Sequence, residues 1–405
     1  MRIALLSRAT YPYHPYGGME QAVYGTACGL VELGHTVELF TANPLPGWEE
    51  RATGAGTWPP PFKVHFLPYR LFPLGRRNSI PDRLANYPLF ALRLGSTLAR
   101  LKPEPQVVYC QGLSGLGYAL GLTGNHGPLV VNPQGMEELK VQEWAKRIAY
   151  APFNQLLRFT AHRATAVIAT DNPQIEEVQR LLGVPATRVA LIPNAVDLTR
   201  LDKLVEPHEI ARLEQNYKGT FLIVSVGRLE VNKGLKIALS ALSQAKLPET
   251  WRWVIVGEGS QREALEREAT KLGLLHTHVS FVGKLSDREL HALYEVANLF
   301  LHPTLYEGSS LVTLEAMAHR LPIIASNAGG LSDKINPSNG RLCPPGEAIA
   351  LAEAISEVAA LTPEERRAMG LASRVVVEQA YTWPQVALRL SNLFEQICNL
   401  NQTIL

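Results

Sequence analysis

Ile3-Ala4-Leu5-Leu6 opens the chain as a short apolar run, and Tyr16-Gly17-Gly18-Met19-Glu20 follows it as a glycine-containing loop. An apolar-periodic stretch from Ala22 to Leu33 comes next, stopped by Gly34-His35, and Thr36-Val37-Glu38-Leu39-Phe40 closes the passage. The period changes from a buried strand to a 3.6-residue helix and back, which is one βαβ unit. The rhythm predicts further strands at Lys63–Leu67, Gln106–Cys110, Leu129–Asn132 and Ala166–Ala169. It restarts at Phe221–Val226 and continues through Trp253–Val256, Val279–Val282, Leu299–Leu301, Pro322–Ala325 and Gly340–Cys343. Alternating βα units imply a doubly wound parallel sheet, and two such series imply an α/β chain of two Rossmann-like domains. The expected division is 1–198, 199–380 and a closing helix, 381–405, that crosses back to the first domain. The charged, apolar-poor stretch 199–218 reads as the linker.

A chain of 405 residues is too long for one core, so two domains also suit its length. With 46% hydrophobic and 19% charged residues it has the composition of an ordinary globular protein. The net charge of +2 divides unevenly, since residues 1–200 hold 19 Lys+Arg against 14 Asp+Glu. That excess suits a solvated face, and nothing resembles a nucleic-acid-binding arm. The four cysteines are widely separated, which suits a reducing cytoplasm. The first residues lack the apolar run of a signal peptide, and no later run approaches a spanning helix. Any membrane contact is therefore expected to be peripheral, on the inner face. Residues 43–62 and 68–82 are Pro-, Gly- and Trp-rich and read as long loops on the acceptor side. Residues 83–100 read as a helix facing the core rather than a membrane.

The second half carries the chemistry. Val226-Gly227-Arg228-Leu229-Glu230-Val231-Asn232-Lys233-Gly234 sets two cations on a strand-to-helix loop, where they can bracket a diphosphate. In Tyr306-Glu307-Gly308-Ser309-Ser310-Leu311-Val312-Thr313-Leu314-Glu315 a loop carboxylate precedes a helix that holds a second carboxylate. Backbone N–H groups of Gly308, Ser309, Ser310 and Leu311 would point out of that helix toward an anion, and Glu315 could grip two vicinal hydroxyls.

With Gly227-Arg228, Lys233 and Val282-Gly283 before it, this double-glutamate motif strongly resembles glycosyltransferase family 4. The resemblance implies the GT-B fold, with the donor held in a cleft between two domains and the anomeric configuration retained. It implies that Glu307 approaches the transferred sugar, Glu315 holds the ribose, and Arg228 and Lys233 hold the diphosphate. Backbone around Val282, Gly283, Lys284 and Leu285 would read the base, and Gly17-Gly18 resembles the family's glycine loop over donor and acceptor. No metal and no cofactor are expected; the donor, a UDP- or GDP-sugar, is a substrate. Two positions depart from the pattern. Many relatives have His-Gly where this chain has Gln134-Gly135, and a glutamine cannot shuttle a proton. The implied mechanism then leans on donor positioning, with Gln134 orienting the sugar or the attacking hydroxyl. Gly308-Ser309-Ser310 stands where Gly-Phe-Gly is commoner, adding the Ser310 hydroxyl while keeping the backbone donors.

Asp171 reads as a helix N-cap, and Glu137 and Glu138 as residues of a helix start. A dinucleotide-dependent oxidoreductase would require Gly-x-Gly-x-x-Gly after the first strand, which is missing. A sugar-nucleotide epimerase or hydrolase of the same fold, and a catalytically silent sugar-nucleotide-binding protein, are the alternatives. Base, sugar, acceptor and oligomeric state are not written in the sequence.

Overall fold

The computed structural model describes residues 1–15, 17–53, 58–70, 79–121, 127–141 and 143–404, with the side chains of 53 and 400–404 left aside. Tyr16 and parts of both long loops, 54–57 and 71–78, lie outside the described residues. The chain forms two compact units, Met1–Asn194 with Trp383–Leu405, and Ala195–Thr382.

The first unit is a seven-stranded sheet of β1 (Arg2–Leu6), β2 (Thr36–Ala42), β3 (Lys63–Leu67), β4 (Val107–Gln111), β5 (Leu129–Asn132), β6 (Ala166–Ala169) and β7 (Val189–Leu191). Their order is β3-β2-β1-β4-β5-β6-β7, and every pair is parallel. Its helices are α1 (Gly18–Glu32), α2 (Trp48–Thr53), α3 (Tyr87–Leu98), α4 (Leu116–Ala119), α5 (Trp144–Arg163) and α6 (Asn172–Leu182). Phe90, Ala91, Leu94 and Leu98 of α3 are buried in the core, so that helix faces the sheet as its pattern requires. Asp171 caps α6 by accepting a bond from the Gln174 N–H at 2.9 Å. The segment at Glu137 is a single 3-10 turn, Glu137–Leu139, and the long helix begins only at Trp144. Glu138 is held there by Arg83 at 2.6 Å rather than by a helix dipole.

The second unit holds α7 (Leu198–Leu204), α8 (Pro207–Asn216), β8 (Phe221–Val226), α9 (Leu235–Leu242), β9 (Trp251–Val256), α10 (Arg262–Lys271), β10 (Val279–Gly283), α11 (Asp287–Val296), β11 (Leu299–His302), α12 (Leu311–Ala318), β12 (Ile323–Ser326), β13 (Gly340–Cys343), α13 (Ala348–Ala360) and α14 (Pro363–Ala380). Its six strands run in the order β10-β9-β8-β11-β12-β13, all parallel. Along β8, Phe221 and Ile223 enter one apolar cluster and Leu222 and Val224 the other, so both faces of the sheet are covered. A parallel strand buried on both faces must read as an unbroken apolar run, which is why these strands stand out in the sequence. The stretch 199–218 corrects the expected linker: it forms α7 and α8, which pack against α11. Its charge belongs to the solvent side of two surface helices, while Leu201 is buried and Leu213 packs on the core. The boundary falls before Ala195 because the Val196 N–H donates to Tyr381 O at 3.0 Å and ties that segment to the second unit.

The closing helix α15 (Trp383–Ile404) belongs to the first unit and packs on α1. His35 Nε2 lies 2.8 Å from Ser391 Oγ, and Phe394 meets the Tyr109 ring.

Candidate active site

In a doubly wound sheet the chain reverses its direction of winding at one point, and the loops leaving the carboxyl ends of the strands there diverge into a crevice. In the second unit that point lies between β8 and β11. The β8 loop carries Arg228 and Lys233, and the β11 loop carries Glu307. Gly234 ends the first loop with φ +64, and a Cβ there would stand 1.9 Å from Pro303 O, so the two loops are in backbone contact. Thr304 Oγ1 and the Leu305 N–H both donate to Asn232 O, at 3.0 and 2.7 Å. This clamp brings Lys233 Nζ to 2.6 Å from Glu307 Oε2.

His302, the last residue of β11, sets its Nε2 2.8 Å from the same carboxylate oxygen. Burial by itself would raise the Glu307 carboxyl, but His302 and Lys233 outweigh it and hold the pKa down at about 2. Glu307 is thus a fixed negative charge with one oxygen doubly occupied. Its backbone is fixed too, since a Cβ on Gly329, at φ +53, would lie 2.0 Å from Glu307 O.

After Glu307 the chain turns into α12 at Ser310, whose Oγ accepts from Thr313 Oγ1 at 2.9 Å. The helix's first backbone N–H groups have no intrahelical acceptor and make its N-terminus an anion-accepting surface. Buried Lys334 adds a cation, with its Nζ 3.4 Å from Ser309 Oγ. Glu315 lies on the next turn, buried, and no described residue hydrogen bonds its carboxyl. Burial first, then the charge of Asp287, pushes its pKa up to about 8, against a smaller opposing pull from Arg200. The guanidinium of Arg228 is exposed and makes no hydrogen bond or salt bridge within the described residues. Val282 falls in a register irregularity between Phe281 and Gly283, exposed and outside the ladder with β9. Gly283, at φ +73, accepts the Gly257 N–H at 2.8 Å, and Leu285 is half-buried just before α11.

The structure thus brings Lys233 and His302 to Glu307 and sets Ser310 Oγ 3.5 Å from His302 Nε2, and among the described residues it leaves Arg228, Glu315 and the Val282 segment without direct bonds to them. His302, which the sequence shows only as a histidine without metal-ligand pairing, Lys334 and the Arg200–Asp287 pair are not among the site residues expected from the sequence. The signal for His302 was its position, the last residue of a central apolar strand.

In the first unit the reversal lies between β1 and β4. A cavity of about 280 Å³ opens there, lined by Arg8 from the β1 loop, Gly112 and Leu113 after β4, Gln134 after β5, and Met19, Arg83 and Tyr87. Arg8 is buried, donates to Asp82 Oδ2 at 3.0 Å and lies over the Tyr87 ring at 4.8 Å. Gln134 holds φ +58, unusual for a residue with a Cβ. Asn132 Oδ1 accepts its N–H at 3.0 Å, Gln174 Nε2 donates to its carbonyl at 2.7 Å, and its own Nε2 donates to Gln111 Oε1 at 2.5 Å. Gly17 and Gly18 start α1 in extended and helical backbone, beside Met19 at the cavity wall.

Among the described residues no cluster of three His, Cys, Asp or Glu could hold a metal, and no helix is long and apolar enough to cross a membrane.

Two family profiles match the chain: Glycosyltransferase Family 4 over residues 16–200 and Glycosyl transferases group 1 over residues 208–375. The MMP alpha-(1->4)-mannosyltransferase of Mycolicibacterium hassiacum is 25% identical, over 98% of this chain and 98% of its own length. The D-inositol 3-phosphate glycosyltransferase of Xylanimonas cellulosilytica is 26% identical, over 98% and 96%. Among solved structures, sucrose-phosphate synthase from Thermosynechococcus elongatus superposes with a TM-score of 0.76 at 23% identity, over 98% of both chains. Anabaena HepE in complex with UDP-glucose does so with 0.69 at 18% identity, over 98% of this chain and 100% of that one. Both likenesses establish the GT-B fold.

Proposed function

Since the chain belongs to the glycosyltransferases of family 4 and group 1, we propose that it moves a sugar from a nucleoside diphosphate donor to a hydroxyl acceptor, retaining the anomeric configuration and without a metal ion. The observation that carries this reading is the meeting of Lys233, His302 and Glu307 at the reversal point of the second sheet. Two similar proteins are named as glycosyltransferases acting on phosphorylated inositol or as mannosyltransferases, and HepE was solved with UDP-glucose.

In this reading the donor diphosphate lies between Arg228, Lys233 and the amides at the start of α12. Val282, Gly283 and Leu285 face the base, Glu315 takes the ribose hydroxyls, and the free oxygen of Glu307 takes hydroxyls of the transferred sugar. The bond from the anomeric carbon to the diphosphate breaks, with its electron pair going to the phosphate oxygen. The acceptor oxygen bonds to the same face of that carbon, and its proton passes to the departing phosphate oxygen. The cations stabilise the charge that grows on the leaving group, the role a metal ion would otherwise fill. Gln134 does not titrate; it orients the attacking hydroxyl at the cavity in the first unit, with Gly17 and Gly18 beside it.

The test is a thermal-shift panel with UDP, GDP, ADP, TDP and their sugars on the wild type and on Glu315→Ala. One base series should raise the melting temperature of the wild type and lose that effect in the variant. The reading fails if no nucleotide shifts the wild type while NAD or a free glycan does. Loss of the donor sugar to water without an acceptor requirement would instead favour a hydrolase.

A further inference from the structure

α5 spans Trp144–Arg163 and reads WAKRIAYAPFNQLLRFTAHR, with Lys146, Arg147, Arg158 and Arg163 and without a single Asp or Glu. At 100° per residue its apolar residues run round most of the helix, and burial divides them into an inner and an outer row. The inner row contains Phe153, Leu157 and Ala161, which are buried in the core of the first unit. The outer row contains Trp144, Ile148, Ala151, Pro152 and Phe159, with Gln155 and His162 among them, and it points away from that core. Trp144 is 74% exposed, Ile148 66% and Phe159 39%. Folding has therefore buried one stripe and left a second, headed by a tryptophan, in water.

Single exposed apolar residues need no explanation, but a helical row of them at spacings of four, three or four, and seven or eight marks a binding surface. The charge beside the row selects the occupant. Lys146 leans on Glu143 at 2.5 Å, while Arg147 is exposed next to Ile148. Arg158 and Arg163 spend one N–H each on backbone carbonyls and keep their charge. An exposed row with an interfacial tryptophan, flanked by Arg147, Arg158 and Arg163, which have no carboxylate partner among the described residues, fits the boundary layer of an anionic bilayer.

We propose that α5 docks the protein on anionic lipid surfaces, lying in the interfacial plane with Trp144, Ile148 and Phe159 toward the acyl chains. The docking stands apart from the transferase reading, because it is read by lipid binding alone. It has a consequence for that reading, however. The inner stripe supplies Phe153 and Leu157 to the cavity lined by Arg8 and Gln134. A bilayer on the outer stripe would then lie roughly one helix diameter, about 10 Å, from the cavity wall, within reach of a hydroxyl carried on a membrane lipid.

The test is flotation of the full chain with vesicles of phosphatidylcholine alone and of phosphatidylcholine with phosphatidylglycerol. We expect at least tenfold more protein to float with the anionic vesicles, and high salt to reduce it. Trp144→Ser with Ile148→Ser should abolish the recovery, and Lys146→Gln with Arg147→Gln should cut it severalfold. Both double variants should keep the wild-type melting temperature and nucleotide thermal shift, since the altered side chains are exposed. The proposal is overturned if the wild type ignores anionic vesicles or if the apolar variant floats as well as the wild type. It is also overturned if sedimentation shows a dimer that the apolar variant dissociates, which would make the stripe a contact between copies.

Discussion

At the reversal point of the second unit, loops meet through charge: a lysine and a histidine converge on one carboxylate oxygen, and a free arginine stands nearby. At the corresponding point of the first unit they meet through amides. Gln134 is held by Asn132, Gln174 and Gln111, and the cations at the cavity, Arg8 and Arg83, already face Asp82 and Glu138. One sheet architecture thus carries two chemistries. The second unit is built to hold a charge at a fixed place, and the first to hold neutral hydrogen-bonding groups at fixed angles.

The sharpest way to break this contrast is to discharge the second unit. Glu307→Gln and Lys233→Ala should each lower kcat by about 10²–10³-fold, the range typical of removing one preorganised electrostatic partner. Single-turnover rates at saturating donor measure it. An equal loss from Gln134→Ala would abolish the distinction between the two sites.

The second unit also pushes its two carboxyls in opposite directions. Glu307 is held at about 2 and Glu315 at about 8, against an ordinary value of 4.5. For Glu315 the folded-state pKa lies above the unfolded one, so the folded protein binds more protons between pH 4.5 and about 8. Its contribution to stability is therefore complete below pH 4.5 and is lost as pH rises toward 8. Glu315→Gln should raise the melting temperature relative to wild type, by a margin small at pH 5 and largest at pH 8.5. At pH 7 the gain is on the order of 3 kcal/mol as an upper bound. A margin that shrinks with rising pH would show that the empty site holds Glu315 ionised.

Backbone support offers the next step down. Gly329→Ala forces a left-handed φ of +53 and a clash with Glu307 O, so a loss of about 1–3 kcal/mol in unfolding free energy is expected, with weakened activity. Gly308→Ala is the control: a Cβ there meets nothing within 4 Å, and chemical denaturation should find it close to neutral.

The same contrast governs what could be read in the sequence. The central strands were legible because, covered on both faces, they are apolar runs such as Leu222-Ile223-Val224, whereas the short, half-exposed edge strand Val189–Leu191 was not. Lys233 and Glu307 were legible because each sits with its glycines in one short local motif. His302 was not, for its role depends on β11 lying beside β8 and on the clamp through Asn232 O. The first unit hid more, because its cavity gathers residues 8, 83 and 134, which only the topology brings together. The helices α7 and α8 were misread as a linker because composition records their solvent side, whereas Leu201 and Leu213 do the packing.

Gln134 gives the finest test of the comparison. Its backbone is fixed at φ +58 by Asn132 and Gln174, which costs strain, and its side-chain amide is oriented by Gln111. Gln134→Ala should lower kcat by roughly tenfold, about 1.4 kcal/mol, and leave the nucleotide thermal shift unchanged. Gln111→Ala should copy a part of that loss, because it frees the amide that Gln111 Oε1 holds. Since neither amide titrates, wild-type kcat at saturating donor should show no inflection between pH 6 and 7.5, whereas Gln134→His should introduce one near the imidazole range of about 6.5. A wild-type inflection that survives in Gln134→Ala would mean that another group of the protein takes the acceptor's proton, and the first unit would then have to be read as an acid–base site after all.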